Sequence, residues 1–268
     1  MSDDPLVDTL LEARRRATLV DLPSVREGGL ALHDAYRVAR AIEQRRLAEG
    51  DMPRGWKIGF TNRSIWPRYG VHQPIWGRVW QSSLTLLDGG AADVPLDGLV
   101  QPRIEPEIVF GFRSVPPTDG TLDALVEAID WVAHGVEIVH THYAGWRFGS
   151  AADTVADYGL HGRLVVGPRS PVADWPDLVG ALSATAMRLW RGADLIDEGR
   201  GAVVLDGPVQ ALQQWLRAMP GTSPDWHARA GEVVTTGTLT DAWPVAPGER
   251  WRTEPGDARL RGLELQFV

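Results

Sequence analysis

Apolar residues recur at three- and four-residue steps through the first fifty positions. Leu32, Tyr36, Ala39 and Ile42 fall on one helical face, and Gly50 stands where such a helix stops. Pro53 and Gly55 then break the chain ahead of a short apolar run, Gly55-Trp56-Lys57-Ile58-Gly59-Phe60-Thr61, which reads as a buried strand. From Trp76 the character changes to β-type runs separated by Gly, Pro and Asp clusters: Leu84–Leu87, Ile104–Phe112, Gly135–His140 and Arg163–Val166. One helix is predicted among them, from Leu122 to about Ala133, with Leu122, Leu125, Val126 and Ile129 on one face. Thr185, Met187 and Leu189 alternate before Arg191-Gly192-Ala193-Asp194, which predicts a hairpin there. Pro208–Met219 reads as a second short helix. Strands follow at Glu232–Thr236, Arg250–Arg252 and Leu263–Val268, with a turn at Pro247-Gly248. The pattern predicts an α+β chain: an N-terminal helical region with the first core strand (1–75), then a β-rich core (76–268).

Composition changes this picture in four places. A chain of 268 residues with 44% hydrophobic and 23% charged residues buries a sizeable core. A net charge of −8 argues against nucleic acid or an anionic membrane as partner. With no cysteine, disulfides, thiolate metal sites and cysteine nucleophiles are excluded. The start Met1-Ser2-Asp3-Asp4 is acidic with no long apolar run behind it, so neither a signal peptide nor a membrane span is expected, and the cytoplasm is the expected compartment. Twelve tryptophans suit core and subunit-interface packing.

Lys57 is the only lysine, against 26 arginines. Where Arg serves for surface charge, a retained lysine points to a task that a compact ammonium performs and a guanidinium does not; burial can lower its pKa. Its position inside an apolar run strengthens that reading, although a single lysine also arises by drift.

Two acidic stretches look like chemistry. In Arg103-Ile104-Glu105-Pro106-Glu107-Ile108, strand periodicity puts Glu105 and Glu107 on the same face. Buried together they repel, and a bound cation is the simplest remedy. An exposed strand with polar residues outward has the same spacing. Pro106 cannot donate to a ladder, so this strand is expected at an edge or locally distorted. The second stretch is Gly135-Val136-Glu137-Ile138-Val139-His140. Three carboxylates suit Mg²⁺ or Mn²⁺ better than zinc. His140 and His142 face away from Glu137 in a strand and are not expected to share a metal with it. His161, between Leu160 and Gly162, is expected in a loop near a ligand. Neither Gly-x-Ser-x-Gly nor Gly-x-Gly-x-x-Gly occurs, so a serine-hydrolase elbow and a dinucleotide fold have no support.

The ordered set Gly-Trp-Lys-Ile-Gly-Phe-Thr, Gln73-Pro74 with Gly77, Pro102-Arg103-Ile104-Glu105-Pro106-Glu107-Ile108, Val136-Glu137-Ile138-Val139, Val155-Ala156-Asp157, Thr236-Gly237-Thr238, Val245 and Pro247-Gly248-Glu249 resembles the hydratase/decarboxylase branch of the fumarylacetoacetate hydrolase superfamily. The match runs from about residue 30 to the C-terminus. The resemblance implies a mixed β-roll core with an N-terminal helical region, a Mg²⁺ or Mn²⁺ ion, homo-oligomers, and small 2-oxo or 2-hydroxy-dienoate acids as substrates. On its motifs Glu105, Glu107 and Glu137 fall on the metal ligands and Lys57 on the active-site lysine. Asp157 and Thr238 fall on substrate-pocket positions.

Departures from the family's pattern matter for the reaction. Hydratases of this type carry Asp after the Gln-Pro pair; here it is Ile75, a substrate-pocket candidate closer to the decarboxylases. The family's Asp-Ser-Arg is His140-Thr141-His142, and its Ala-Asp-Asn-Ala-Ser is Ala156-Asp157-Tyr158-Gly159-Leu160. Hydration leads and decarboxylation follows. Carbon–carbon hydrolysis of a diketo acid needs a His–Glu pair on an N-terminal lid, for which His33 has no clear partner. A catalytically silent structural subunit is the non-enzyme alternative.

Overall fold

A computed structural model describes residues 4–268; Met1-Ser2-Asp3, part of the acidic start, lies outside the described residues. Helix α1 (Pro5–Arg16) begins where the Asp4 carboxylate accepts the Leu6 N–H at 2.9 Å, with proline at its first position. Helix α2 (Leu32–Ala48) follows, then β1 (Pro53–Gly59), the single turn α3 (Trp66–Tyr69) and β2 (Ile75–Trp80). The chain continues through β3 (Leu84–Leu86), β4 (Ala91–Val94), β5 (Arg103–Phe112), α4 (Leu122–Ala128), β6 (Ile129–Val139), α5 (Ala151–Ala156), β7 (His161–Val166) and β8 (Ser170–Pro171). It ends with α6 (Leu178–Ala184), β9 (Ala186–Arg191), β10 (Asp194–Arg200), α7 (Pro208–Thr222), β11 (Val233–Thr238), β12 (Trp243–Pro244), β13 (Arg250–Pro255) and β14 (Glu264–Phe267).

The strands form two mixed sheets. The larger runs β2-β1-β11-β5-β6-β7-β3, with β12 on β5 and β8 on β6; the smaller runs β10-β9-β13-β14-β4. β1 pairs with β11 in parallel although about 170 residues separate them, which is what sets Lys57 beside the acidic strands. The apolar faces of α1 (Leu6, Val7, Leu10) and α2 (Tyr36, Val38, Ile42) join one hydrophobic cluster with Trp56, Trp76 and Trp215. Tyr36 and Trp76 lie 4.8 Å apart, ring centre to ring centre. A boundary drawn between residues 75 and 76 falls inside β2.

Three local expectations are corrected. The helix from Leu122 stops at Ala128, because Ile129 already pairs with Phe112 and the run to Val139 is taken up by the β5 ladder. Pro53 and Gly55 lie within β1 rather than before it. A Cβ on Gly55 would sit 1.9 Å from the Val233 carbonyl oxygen, so the glycine marks the close approach of β11, not a turn. The strand holding Pro106 is central, flanked by β6 and β11. Its distortion is real, however: pairing with β11 shifts register between Thr235 and Thr238, and Pro106 offers its carbonyl to the Leu239 N–H at 2.9 Å. The missing N–H of Pro106 therefore faces the bulge, where no ladder bond is forfeited.

His134 ties the two sheets together. It lies buried in β6, with Nδ1 2.9 Å from the Glu107 carbonyl and Nε2 2.8 Å from Thr253 Oγ1 on β13. Burial pushes its pKa down to about 4. The folded pKa lies below the unfolded value, so this contribution is complete above about pH 6.5 and is lost as pH falls toward 4, at about 1.4 kcal/mol per pH unit. Wild type is expected to lose roughly 3 kcal/mol more than His134→Gln across that window, read as melting temperature against pH. Parallel acid slopes for the two proteins would refute this.

Candidate metal centre and cavity

Period-two alternation puts Glu105 and Glu107 on one face of β5, and antiparallel register sets Glu137 of β6 directly opposite Glu105. One carboxylate oxygen from each of the three lies within 4.8 Å of the others. Glu107 and Glu137 are wholly buried, whereas Glu105 keeps part of its surface on a cavity.

Each buried carboxylate has one oxygen held and the other left over. Glu107 Oε2 accepts from Thr235 Oγ1 and, at 2.7 Å, from the Gly237 N–H. Gly237 sits in the β11 bulge at φ +100°, and a Cβ there would meet Thr61 Oγ1 at 2.0 Å. Glu137 Oε1 accepts from His161 Nδ1 at 2.7 Å. Among the described residues, Glu107 Oε1 has no hydrogen-bond partner, and Glu137 Oε2 has only an ion pair with Lys57 Nζ at 3.3 Å. Such orphaned oxygens are costly in a protein interior unless something binds them. Three carboxylates against one ammonium leave excess negative charge, and the oxygen-only donor set fits a hard divalent cation.

Protonation follows from the same crowding. Burial, reinforced by Glu137 and Glu105, raises Glu107 well above the carboxylate range. Burial also lifts Glu105, to about 7, with Lys57 opposing and Glu137 assisting. For Glu137, burial is outweighed by Lys57 and His161, which hold its pKa low. For Lys57, 3% exposed, burial acts to lower the pKa but the three glutamates outweigh it and raise it. Burial alone suggests a lowered lysine; the carboxylates reverse the sign.

Lys57 reaches the centre from β1, one strand beyond β11, and donates to the Gly159 carbonyl at 2.9 Å. With Glu105 it forms part of the wall of a cavity of about 900 Å³. Phe60, Ile65, Tyr69, Phe148, Leu160 and Met187 supply apolar wall, and the β9–β10 hairpin of the smaller sheet closes one side.

No family model matches the chain. It is 31% identical over 256 residues, 94% of both chains, to a 2-hydroxyhexa-2,4-dienoate hydratase of Comamonas testosteroni. The chain belongs to the hydratase/decarboxylase branch of the fumarylacetoacetate hydrolase superfamily. A 2-keto-4-pentenoate hydratase of Paraburkholderia xenovorans (strain LB400) is 32% identical over 219 residues, 81% of this chain and 77% of the relative. The fold is that of 4-oxalocrotonate decarboxylase from Pseudomonas putida G7, complexed with magnesium and adipate: TM-score 0.87 at 24% identity, covering 98% of this chain and 96% of that one. The α+β fold with a mixed β-roll core is thus the superfamily's own.

Among the pocket positions carried over from the superfamily, Thr238 lines the cavity and two others do not. Ile75 is buried, pairing with Gly59 across β2 and β1. Asp157, 1% exposed, is consumed by its neighbours: Oδ1 lies 2.5 Å from His142 Nδ1, and Oδ2 accepts from Thr141 Oγ1 at 3.0 Å and the His142 N–H at 2.9 Å. His140 meets Arg14 Nη1 at 2.8 Å, so both histidines stay off the acidic cluster. His33 is exposed beside Asp34. His161 opens β7 rather than sitting in a loop, and its bond to Glu137 was not legible from its glycine neighbour. Thr235 and Gly237 were also missed as partners of Glu107; only the motif Thr236-Gly237-Thr238 pointed near them.

Proposed function

We propose that this member of the superfamily is a divalent-metal-dependent hydro-lyase that hydrates a small 2-hydroxy-dienoate acid. The convergence of Glu105, Glu107 and Glu137 beside Lys57, at the wall of an apolar cavity, carries the reading. The three glutamates would hold Mg²⁺ or Mn²⁺, which supplies Lewis acidity toward the oxygens of a 2-oxo or 2-hydroxy acid. Lys57 Nζ, kept charged by the glutamates and steadied by the Gly159 carbonyl, holds the proton that ketonisation of a dienol requires. Phe60, Tyr69 and Phe148 exclude bulk water around the carbon chain, and Thr238 offers a hydroxyl to the polar end. Conjugate addition of water completes the hydration. The reading includes a cytoplasmic homo-oligomer acting on a free small molecule, supported by the net charge of −8 and the abundance of tryptophan. No helix among the described residues is long and apolar enough to cross a membrane.

Decarboxylation of a 4-oxalocrotonate-type acid is the second reading. Ile75 favours it, since a buried aliphatic side chain at that position offers no carboxylate for handling water. An ultraviolet-monitored assay with Mg²⁺ or Mn²⁺, given 2-hydroxypenta-2,4-dienoate and 4-oxalocrotonate side by side, separates them. Metal-dependent loss of the dienoate without CO₂ is expected. CO₂ release from oxalocrotonate alone would replace hydration by decarboxylation, and silence on both would overturn both.

A further inference from the structure

Residues 157–161 touch both halves of the centre at once. The Gly159 carbonyl holds Lys57 Nζ at 2.9 Å, and two residues on, His161 Nδ1 holds Glu137 Oε1 at 2.7 Å. To do so the chain takes three successive left-handed residues, Tyr158, Gly159 and Leu160, with φ of 59°, 63° and 66°. Only the middle one is glycine, and a non-glycine residue adopts this conformation only where its surroundings impose it.

The surroundings here are specific. Asp157 is pinned by His142 and Thr141, and the Leu160 N–H returns to the Asp157 carbonyl at 2.8 Å. The Leu160 carbonyl accepts from the His140 N–H at 3.0 Å, and the His161 carbonyl accepts from Arg14 Nη1 at 3.1 Å. On the other side, Gly77 of β2 presses on the turn: a Cβ there would lie 2.6 Å from the Tyr158 carbonyl oxygen. The imidazole is fixed at its far end too, with Nε2 2.8 Å from Ser83 Oγ. A carboxylate on Nδ1 requires a proton there, which leaves Nε2 to accept from the serine.

We propose that His161 is the positioning residue of the metal centre: by fixing Glu137 Oε1 it turns Oε2 toward the cation, and the strained 157–161 turn sets Lys57 in the same act. This rests on the metal reading above. It differs from ordinary core packing because the bond goes to one oxygen of a carboxylate whose other oxygen, among the described residues, meets only the Lys57 ammonium in an ion pair and has no hydrogen bond. A partner outside the coordination shell typically changes metal affinity 10–100-fold.

The test is Mn²⁺ titration calorimetry on the full chain, with steady-state kinetics at varied Mn²⁺. His161→Leu is expected to weaken Mn²⁺ binding by about 10–100-fold, with most of kcat regained at saturating metal. His161→Asn, whose amide nitrogen takes the place of Nδ1, is expected to recover most of the affinity. Equal binding by wild type and both variants, or equal loss in both, would overturn the proposal. Should His161→Leu fail to fold, Ser83→Ala keeps the imidazole and removes its far support. A several-fold loss of Mn²⁺ affinity supports the proposal, and no change overturns it. Wild type that binds no Mn²⁺ at all would bring down the metal reading itself, and this inference with it.

Discussion

Lys57→Met is expected to lower kcat by about 10²–10⁴-fold, the range for losing a positioned proton donor, while Mn²⁺ binds as tightly as in wild type or tighter. The two halves of this result come from one geometry. Lys57 Nζ stands 3.3 Å from Glu137 Oε2, so the ammonium competes with a cation for that oxygen. Removing it takes away a donor and a repelling charge together. Methionine keeps the length and apolar stem of lysine, so the packing of β1 against β2 and β11 is largely preserved. The metal-free variant should melt lower, since the three glutamates lose the one cation among them, and Mn²⁺ should restore it. Calorimetry and turnover on the same preparation decide the matter. Unchanged kcat would remove Lys57 from the chemistry; lost Mn²⁺ binding would make the lysine an architectural part of the metal site.

Glu107→Gln should shift stability in opposite directions with and without metal. Without metal, burial and the neighbouring carboxylates hold Glu107 well above the carboxylate range, so the substitution replaces a group that must take up a proton on folding, and the melting temperature should rise. The glutamine oxygen can still accept from Thr235 and the Gly237 N–H, so the β11 bulge remains supported. With Mn²⁺ at about 100 times the wild-type Kd, wild type gains about 2.7 kcal/mol, which corresponds to roughly 5–10 °C for a chain of this size. A variant weakened about 100-fold gains only about 0.4 kcal/mol under the same conditions. Thermal scans of both proteins with Mn²⁺ and with chelator measure this crossing. Matching Mn²⁺-induced shifts in the two proteins would show that Glu107 is no ligand.

Much of the centre is legible in the sequence because its elements are local. A two-residue step in a strand places Glu105 and Glu107 on one face whatever surrounds them. A lone lysine in an apolar run marks itself by chemistry. The β9–β10 hairpin was readable from alternation and a glycine, and α2 from its apolar stripe. The errors arose where a neighbour overruled the local signal. Ile129 continues a helical pattern from Leu122 yet belongs to β6, because pairing with Phe112 outweighs the periodicity of one short helix. Pro106 reads as the mark of an edge or of a local distortion, and the second holds: a bulge in the adjoining strand lets a central strand accommodate it. Asp157 falls on a pocket position by the family resemblance, whereas here its carboxylate anchors a turn through His142.

By itself, then, the sequence determined the superfamily, the mixed α+β character, the oxygen-only donor set and the special standing of Lys57. The superfamily came through the resemblance of the ordered motifs, and the rest follows from residue type and short-range spacing. Only the tertiary structure decided that Glu137 faces Glu105, that the parallel pairing of β1 with β11 delivers Lys57 to them, and that His161 backs Glu137. Each depends on hydrogen-bond register between strands distant in the chain. A slip of one residue turns every side chain of a strand to the opposite face, and nothing within one strand specifies that register.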